Sequence, residues 1–277
     1  MNIPSIDAEA LHRKARQLRL RILEAIAKAG KGHIGGAYSC LDILVALYHG
    51  KVLNVDPRNP KWPERDRFIL SKGHSGIALY AVLSDLGFFD VAAMNTVCQD
   101  GSSLGEHPDH RIPGVEIDTG SLGHGLNIGA GMALNAKMDG LPYFTFVLLG
   151  DGECYEGTVW EALLFAAHHQ LNNLVAIIDR NRQITLDFTE DCIRLEPLEK
   201  KICDFGWDVV MVDGHSYEKL NAVLKASRQP ESRKPLAIIA NTIKGKGVSF
   251  MERQLKWHHG MPNAQEIEIA RKELSSP

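Results

Sequence analysis

The sequence lacks any apolar run that could cross a membrane. Its longest uninterrupted stretches, such as residues 144–149, fall far short of the roughly 20 residues that a spanning helix needs. The N-terminus also lacks the apolar segment of a secretory signal peptide. These absences predict a chain with no membrane segment and a cytoplasmic location.

Blocks of like charge are missing as well. The net charge is −3, and nowhere do five or six like charges follow one another. The densest basic run, over residues 13–21, alternates with apolar residues, which is typical of the solvated face of an amphipathic helix. The charge pattern therefore argues against a protein that binds nucleic acid.

Cysteine is sparse and does not form a motif. The five cysteines are odd in number and scattered, and no pair has the C-x-x-C spacing of a zinc or redox site. Free thiols in a reducing compartment are the simplest interpretation. Cys154 is the one candidate nucleophile, but the sequence places no base for it, so we do not expect it to act in catalysis.

Apolar residues make up 44% of the chain, enough for a full core, and their spacing predicts a helical N-terminal portion over about residues 8–50. A long first helix ends at Gly30. A second helix is predicted over 39–49, with Ser39 as its N-cap and Asp42 completing a capping box.

The rest of the chain predicts a doubly wound α/β domain. Residues 99–124 have little periodicity and many glycines, and irregular segments of that length are usually functional, so we predict a site loop there. Short apolar strands alternating with helices argue for a mostly parallel sheet with helices on both faces, in one domain over residues 1–277. The predicted strands are 68–70, 143–149, 174–178, 208–212 and 236–240, and the predicted helices are 77–86 and 158–169, the latter capped by Thr158.

Polar residues follow two of these strands. Gly150-Asp151-Gly152 ends one strand, and Asn181 follows the next, thirty positions after Asp151. Ligands of parallel sheets bind at the carboxyl ends of the strands, and one crossover connection occupies about that much chain. Mg²⁺ prefers oxygen ligands together with phosphates and water. We therefore predict a Mg²⁺ site formed by Asp151, Asn181 and the backbone carbonyl of Gln183, beside a bound diphosphate.

The Gly-Asp-Gly turn followed by Asn resembles the thiamine-diphosphate-binding motif, and further segments resemble transketolases in the order of that family. They span residues 30 to 262, which is most of the chain. These segments are the histidine loops 31–36, 71–74, 105–108 and 258–262, the cofactor-covering segment 118–123, and the stretch 152–157. The resemblance implies the thiamin-diphosphate-binding fold.

The resemblance also implies a cofactor and roles for individual residues. The cofactor is thiamine diphosphate with Mg²⁺, for which Ca²⁺ or Mn²⁺ can substitute. His33, His107 and His259 are the implied catalytic residues, because a side chain with an unperturbed pKa of about 6.5 suits the movement of protons on sugar hydroxyls. The implied cofactor-binding residues are His74, Gly120, Ser121, Leu122, Gly152, Glu153, Asn181, Lys244 and His259.

A transketolase needs a second domain that binds the aminopyrimidine ring, and only residues 263–277 follow the last motif. We therefore expect a companion subunit that carries the pyrimidine-binding and C-terminal domains, in an α2β2 assembly where Glu156 faces the symmetry-related copy. The implied reaction transfers a two-carbon ketol unit from a ketose phosphate to an aldose or aldose phosphate.

Other classes fit the sequence less well. The α subunit of a 2-oxo-acid dehydrogenase E1 shares the metal motif but is not expected to carry the full set of Gly-His loops. A deoxyxylulose-phosphate synthase is related, but as a longer single chain. A non-catalytic cofactor-binding module would not need the histidines. A dinucleotide-binding protein is disfavoured because G-x-G-x-x-G is absent.

Overall fold

The computed structural model describes residues 7–276 and contains a five-stranded, all-parallel sheet in the order β1-β2-β3-β5-β4. The strands are β1 (Arg67–Leu70), β2 (Thr145–Gly150), β3 (Leu174–Arg180), β4 (Asp208–Asp213) and β5 (Leu236–Asn241). β2 and β3 are buried along their whole length, as the apolar runs of the sequence predict for a covered parallel sheet.

Nine α-helices accompany the sheet in the described part of the chain. They are α1 (Ala8–Ala29), α2 (Ile34–Tyr48), α3 (Gly76–Leu86), α4 (His124–Asp139), α5 (Gly157–His168), α6 (Thr189–Cys192), α7 (Leu198–Asp204), α8 (Tyr217–Ala226) and α9 (Ala264–Ser275). None of the helices in residues 7–276 has the length and apolar content that crossing a membrane requires.

Alternate residues of β1, β2, β3 and β5 enter two different apolar cores. Val175 and Ile177 of β3 pack in the larger core with α1, α2, α3, α8 and α9. Ala176 and Ile178 pack in the smaller core with α4, α5 and α7. Because strand side chains alternate between faces, this division places helices on both sides of the sheet, and the predicted fold class is confirmed. The prediction of a single domain over residues 1–277 stays a prediction.

Two predicted helix starts are wrong. α2 begins five residues before Ser39, whose hydroxyl donates instead to the carbonyl of Gly36 and to Asp179. The carboxylate of Asp42 is also engaged elsewhere, with Arg19, so neither residue caps the helix. Ser39 and Asp42 have the spacing of a capping box, but both side chains make tertiary hydrogen bonds instead.

The second wrong start is that of α5, which begins at Gly157 after Glu156, so Thr158 lies inside the helix and makes no cap. The sequence reasoning also omitted α4, because its glycine-rich beginning at His124 has no apolar periodicity. Residues 97–123, by contrast, contain no strand and no α-helix, as predicted for a site loop.

Candidate active site

The carboxyl ends of neighbouring strands bring the predicted site residues together. Asp151 follows β2, Asn181 follows β3, and Lys244 follows β5 by three residues. Lys72 and His74 follow β1 in the same way. Since the strands are parallel and adjacent, these side chains meet at one edge of the sheet.

A cavity of about 390 Å³ lies at this edge, within the size range of small-molecule sites. Most of the residues predicted from the sequence line it. The lining comprises His33, Gly36, Lys72, His74, Gly120, Leu122, Gly150, Asp151, Gly152, Glu153, Tyr155, Asn181, Gln183, Ile184, Thr185, Leu186, Lys244 and His258. Ser121, His107 and His259 are the predicted residues absent from that lining.

A second, larger depression of about 560 Å³ lies at the C-terminal end of α2, between His49, Lys51 and Arg228. None of the predicted site residues contributes to it. Arg228 pairs there with Asp66 at 2.5 Å and is therefore already neutralised. Most of the predicted site residues therefore lie at the smaller cavity.

Asp151 is held rigidly at the floor of the cavity. Its Oδ1 accepts from the backbone N–H of Gly152 at 2.8 Å, and its Oδ2 accepts from Arg182 N at 2.5 Å and Arg180 Nη1 at 3.1 Å. Burial, together with the nearby charge of Asp179, raises the pKa of Asp151 in spite of the opposite charge of Arg180. A cation at this carboxylate would offset that cost of keeping it ionised.

Asn181 and Gln183 supply the other two predicted metal ligands. The Oδ1 of Asn181 accepts from Gln183 N at 3.1 Å, which orients the amide oxygen. The carbonyl of Gln183 accepts from the ammonium of Lys244 at 3.2 Å, so a positive charge already lies against this oxygen. A carboxylate, a carboxamide oxygen and a carbonyl are the ligands that Mg²⁺ takes alongside phosphates and water, and the group fits that ion.

Gly152 lets the turn after β2 pack closely against the cavity wall. A Cβ added at this position would lie 2.3 Å from Cγ2 of Ile184, so a larger residue would require that side chain to move. Glycine at this position therefore allows the backbone next to Asp151 to lie at the floor of the cavity.

Glu153 and Asp179 support the site from beneath. The Glu153 carboxylate accepts from the hydroxyl of Ser71, from Gly123 N at 2.8 Å and from Gly150 N at 3.1 Å, which joins three of the loops that form the cavity. Both of its oxygens are therefore engaged within the chain.

Asp179 is completely buried and pairs with the ammonium of Lys72. It also accepts from Ser39 at 2.6 Å and from the hydroxyl of Thr242. Burial opposes the ionisation of Asp179, but Lys72 and these donors hold its pKa below the usual value. Neither Lys72 nor Asp179 was among the sequence-predicted site residues, since nothing local marks a partner 107 positions away.

Lys244 is almost completely buried yet has no carboxylate partner among the described residues. Its ammonium donates to the carbonyls of Gln183 and Ile184 and to Nδ1 of His258 at 2.6 Å. Burial and the charge of Lys72 lower the pKa of Lys244 to about 8. Among the described residues no carboxylate pairs directly with this ammonium, and the more distant charges of Asp151 and Asp179 offset the cost of its burial only in part.

Five imidazole rings gather above this floor. The ring centroid of His33 lies 4.6 Å from that of His259, 5.3 Å from His74, 5.4 Å from His258 and 6.5 Å from His107. His33 precedes α2, and its loop is tied to the last histidine loop by the bond from Gly260 N to the Gly32 carbonyl at 3.0 Å. A Cβ at Gly120 would lie 3.1 Å from the ring of His107.

The surroundings of three of these rings favour the neutral imidazole. Burial lowers the pKa of His33 below its usual value, although Glu106 opposes the change, and burial lowers the pKa of His74 well below that value. Burial, with the charge of Lys244, lowers the pKa of His258 to about 3. Neutral imidazoles can accept protons, so the arrangement suits acid-base chemistry on a ligand above the cavity.

His258 lines the cavity but was not among the site residues predicted from the sequence. Cys154 lies outside the cavity lining, and burial raises the pKa of its thiol, which disfavours the thiolate that a nucleophile requires.

Comparison with known protein families gives one match to a family model. It is described as the thiamine diphosphate binding domain of transketolase and covers residues 11–276. The chain is 44% identical to one of the subunits of the apulose-4-phosphate transketolase of Phocaeicola vulgatus, over 98% of this chain and 95% of that protein. It is 42% identical to the 6-deoxy-6-sulfo-D-fructose transketolase subunit SqwG of a Clostridium species, over 90% of each.

Solved structures agree with these matches. The crystal structure of transketolase from Campylobacter jejuni superposes with a TM-score of 0.91 at 30% identity and covers 97% of this chain. The chain spans 43% of the length of that enzyme, whereas it spans nearly the whole length of the proteins named as subunits.

Proposed function

Because the chain belongs to the transketolase family, matching its thiamine diphosphate binding domain over residues 11–276, we propose that it is the diphosphate-binding subunit of a two-chain transketolase. The reaction is the transfer of a two-carbon ketol unit from a ketose phosphate to an aldose or aldose phosphate. The observation that supports it best is that Asp151, Asn181 and Lys244 line one cavity together with His33, His74 and His258.

In this proposal the floor of the cavity holds the diphosphate. Asp151, Asn181 and the Gln183 carbonyl would hold Mg²⁺, with Ca²⁺ or Mn²⁺ as substitutes, and the metal would neutralise the diphosphate charge. The ammonium of Lys244 would donate to a phosphate oxygen, because charge-assisted hydrogen bonds are the strong ones. His74 and the backbone at Gly120 and Gly152 would complete the enclosure, with Ser121, Leu122 and the backbone of Glu153.

The histidines above the cavity floor would transfer protons to and from the substrate. Thiamine diphosphate, when bound, supplies the thiazolium ring that acts as an electron sink for carbon–carbon bond cleavage. His33 and His259 would exchange protons with the hydroxyls and the carbonyl oxygen of the donor sugar, and His107 would bind a donor hydroxyl. Histidine is suited to this task because its pKa lies near neutrality.

The names of the relatives support the assembly. Two proteins of nearly the same length as this chain are named as transketolase subunits, which implies a companion chain. We propose that the companion carries the pyrimidine-binding and C-terminal domains in an α2β2 complex, with Glu156 facing the second copy, and that the complex acts in the cytoplasm. The family match argues against the α subunit of a 2-oxo-acid dehydrogenase E1.

Ketol transfer tests the proposal. Xylulose 5-phosphate and ribose 5-phosphate are supplied with Mg²⁺ and thiamine diphosphate, first to the chain alone and then to the chain co-expressed with the product of the neighbouring gene. We expect activity only in the mixture. Activity of the chain alone would contradict the need for a companion, and a mixture that binds the cofactor but is inactive with a panel of ketose phosphates would contradict the proposed reaction.

A further inference from the structure

Glu106 contacts the histidine cluster although neither the motif comparison nor the metal motif assigns it a role. Its Oε1 lies 2.7 Å from Nδ1 of His33 and 3.5 Å from Nε2 of His259. The side chains of Glu106 and His33 are only 23% and 17% exposed, so water screens the pair weakly. One carboxylate oxygen thus lies between two rings that would exchange protons with the substrate.

The backbone that carries Glu106 is held against α3. A Cβ added at Gly76, the first residue of α3, would lie 2.7 Å from the carbonyl oxygen of Glu106, so helix and loop are in close contact. The hydroxyl of Tyr80 in the same helix donates to the carbonyl of His107 at 2.7 Å. The backbone at Glu106 and His107 is therefore supported by a helix that lies in the larger core.

We propose that Glu106 is a positioning residue that keeps the proton of His33 on Nδ1 and leaves Nε2 free to accept a proton from the substrate. The hydrogen bond at one ring nitrogen determines which tautomer a neutral histidine adopts, and a carboxylate accepts only from a protonated nitrogen. This inference rests on the proposed function insofar as His33 is the proton carrier.

The surroundings of His33 show why a carboxylate is needed there. The rings that face it are those of His74, His107, His258 and His259. Burial favours the neutral ring, and any positive charge on the neighbouring rings disfavours a second one. Glu106 opposes both effects and makes it easier for His33 to hold a proton after accepting it.

A divalent cation is the other way to join these three groups, since their ligand atoms lie within 4.8 Å of one another. The metal-bound arrangement and the hydrogen-bonded one differ in whether Nδ1 of His33 carries a proton. A metal-bound Nδ1 has no hydrogen, whereas a hydrogen bond to Glu106 requires Nδ1–H. The 2.7 Å distance from Nδ1 to Oε1 is that of a hydrogen bond and is shorter than the separation of about 3 Å expected for two ligands bound to one ion at about 2.0–2.1 Å.

The first test measures the proton position directly. The full chain, labelled with ¹⁵N-histidine, is examined by long-range ¹H–¹⁵N NMR at pH 7.5, and the signals of His33 are identified by their loss in His33→Asn. We expect the Nδ1–H form in the wild-type chain and a shift towards Nε2–H in Glu106→Ala. The control Asp109→Ala removes a carboxylate of the same loop that pairs with Arg111, and it should leave the His33 signals unchanged.

A wild-type His33 that is protonated on Nε2, or a bound transition metal that disappears in Glu106→Ala, would overturn the proposal while leaving the proposed function intact. Conversely, a wild-type complex without ketol transfer, in a chain whose NMR signals behave as expected, would refute the function and leave the positioning role standing.

The second test uses the assembled complex. We expect Glu106→Ala, which has no acceptor for the Nδ1 proton, to lower kcat by about 10-fold to 100-fold, the range for carboxylates that orient metal-bound histidines, with unchanged thiamine diphosphate affinity. Glu106→Gln, whose amide oxygen can still accept from Nδ1–H, should recover part of the loss. Because Glu106 acts through His33, adding Glu106→Ala to His33→Ala should change kcat little further. Normal kcat in Glu106→Ala, or a full additional loss in the double variant, would contradict the inference.

Discussion

Two buried groups of polar residues differ in whether a buried cation has a carboxylate partner. The first, which we call the Asp42 cluster, consists of Arg19, Asp42, His215 and Tyr217. Asp42 accepts from Arg19 at 2.8 Å, from Tyr217 at 2.8 Å and from His215 at 2.6 Å. Burial opposes the ionisation of both partners, yet their attraction raises the pKa of Arg19 and lowers the pKa of Asp42.

The second is the Lys244 group, made of Lys244, His258 and the carbonyls of Gln183 and Ile184. It contains a buried cation whose partners are all neutral, and burial lowers the pKa of Lys244 to about 8. The Asp42 cluster is complete by itself and joins α1, α2 and α8. The Lys244 group lacks an anion, and its location in the cavity beside Asp151 indicates that a ligand supplies the missing charge.

The largest expected effect is on the Asp42 cluster. Asp42→Ala leaves Arg19 buried without its counter-ion, and breaking a buried pair in this way costs about 3–5 kcal/mol. We expect that loss in the free energy of unfolding, measured by urea titration. Asp42→Asn keeps the shape but not the charge and should show an intermediate loss. A decrease below about 1 kcal/mol would mean that the cluster is not a structural element.

Removing the charge of the Lys244 group should have the reverse outcome. Lys244→Met keeps the length of the side chain but removes an unbalanced buried cation, so the free energy of unfolding should stay the same or increase. The affinity of the assembled complex for thiamine diphosphate should fall about 10-fold to 100-fold, as expected for the loss of a charged hydrogen bond of about 1.5–3 kcal/mol. This affinity is measured by calorimetric titration of thiamine diphosphate into the complex.

Lys246→Met in the same loop is the matched control, because Lys246 is partly exposed and its ammonium lies near Glu252. It should leave both quantities unchanged. If Lys244→Met destabilises the chain and keeps normal cofactor affinity, the two buried groups have the same structural role and the comparison fails.

A further prediction concerns acid stability, where the effect develops only gradually as the pH falls below neutrality. Burial and Lys244 hold the pKa of His258 at about 3, below the value of about 6.5 in an unfolded chain. The unfolded chain therefore binds the proton more readily, and the contribution of His258 to stability is present above about pH 6.5 and is lost as the pH falls towards 3. We expect His258→Asn to unfold less steeply with acid over this interval, measured as urea midpoints. Parallel curves would contradict this.

Much of the fold was predictable because local patterns specify it. The apolar strands, the end of α1 at Gly30 and the Gly-Asp-Gly turn after β2 were all recognisable in the sequence. The site residues Asp151 and Asn181 were also recognisable, since each directly follows a strand and strand ends meet at one edge.

The contacts that could not be predicted join residues far apart in the sequence. Ser39 and Asp42 imitated a capping box, but their true partners, Asp179 and Arg19, lie far away in the chain. The contact between Glu106 and His33 joins positions 73 apart, and no local pattern indicates it. The missing acid at Lys244 is likewise a property of the folded surroundings and not of the sequence around it.

The binding of thiamine diphosphate at the strand ends is tested most directly by Asp151→Ala. Its Arg180 partner retains Glu190 and Glu196, so we expect the variant to fold. The measurement is calorimetric titration of thiamine diphosphate into the assembled complex, with Mg²⁺ and with EDTA. Tight binding that requires Mg²⁺ in the wild type and is lost in Asp151→Ala is the predicted result. Equal, metal-dependent binding in both proteins would contradict the assignment.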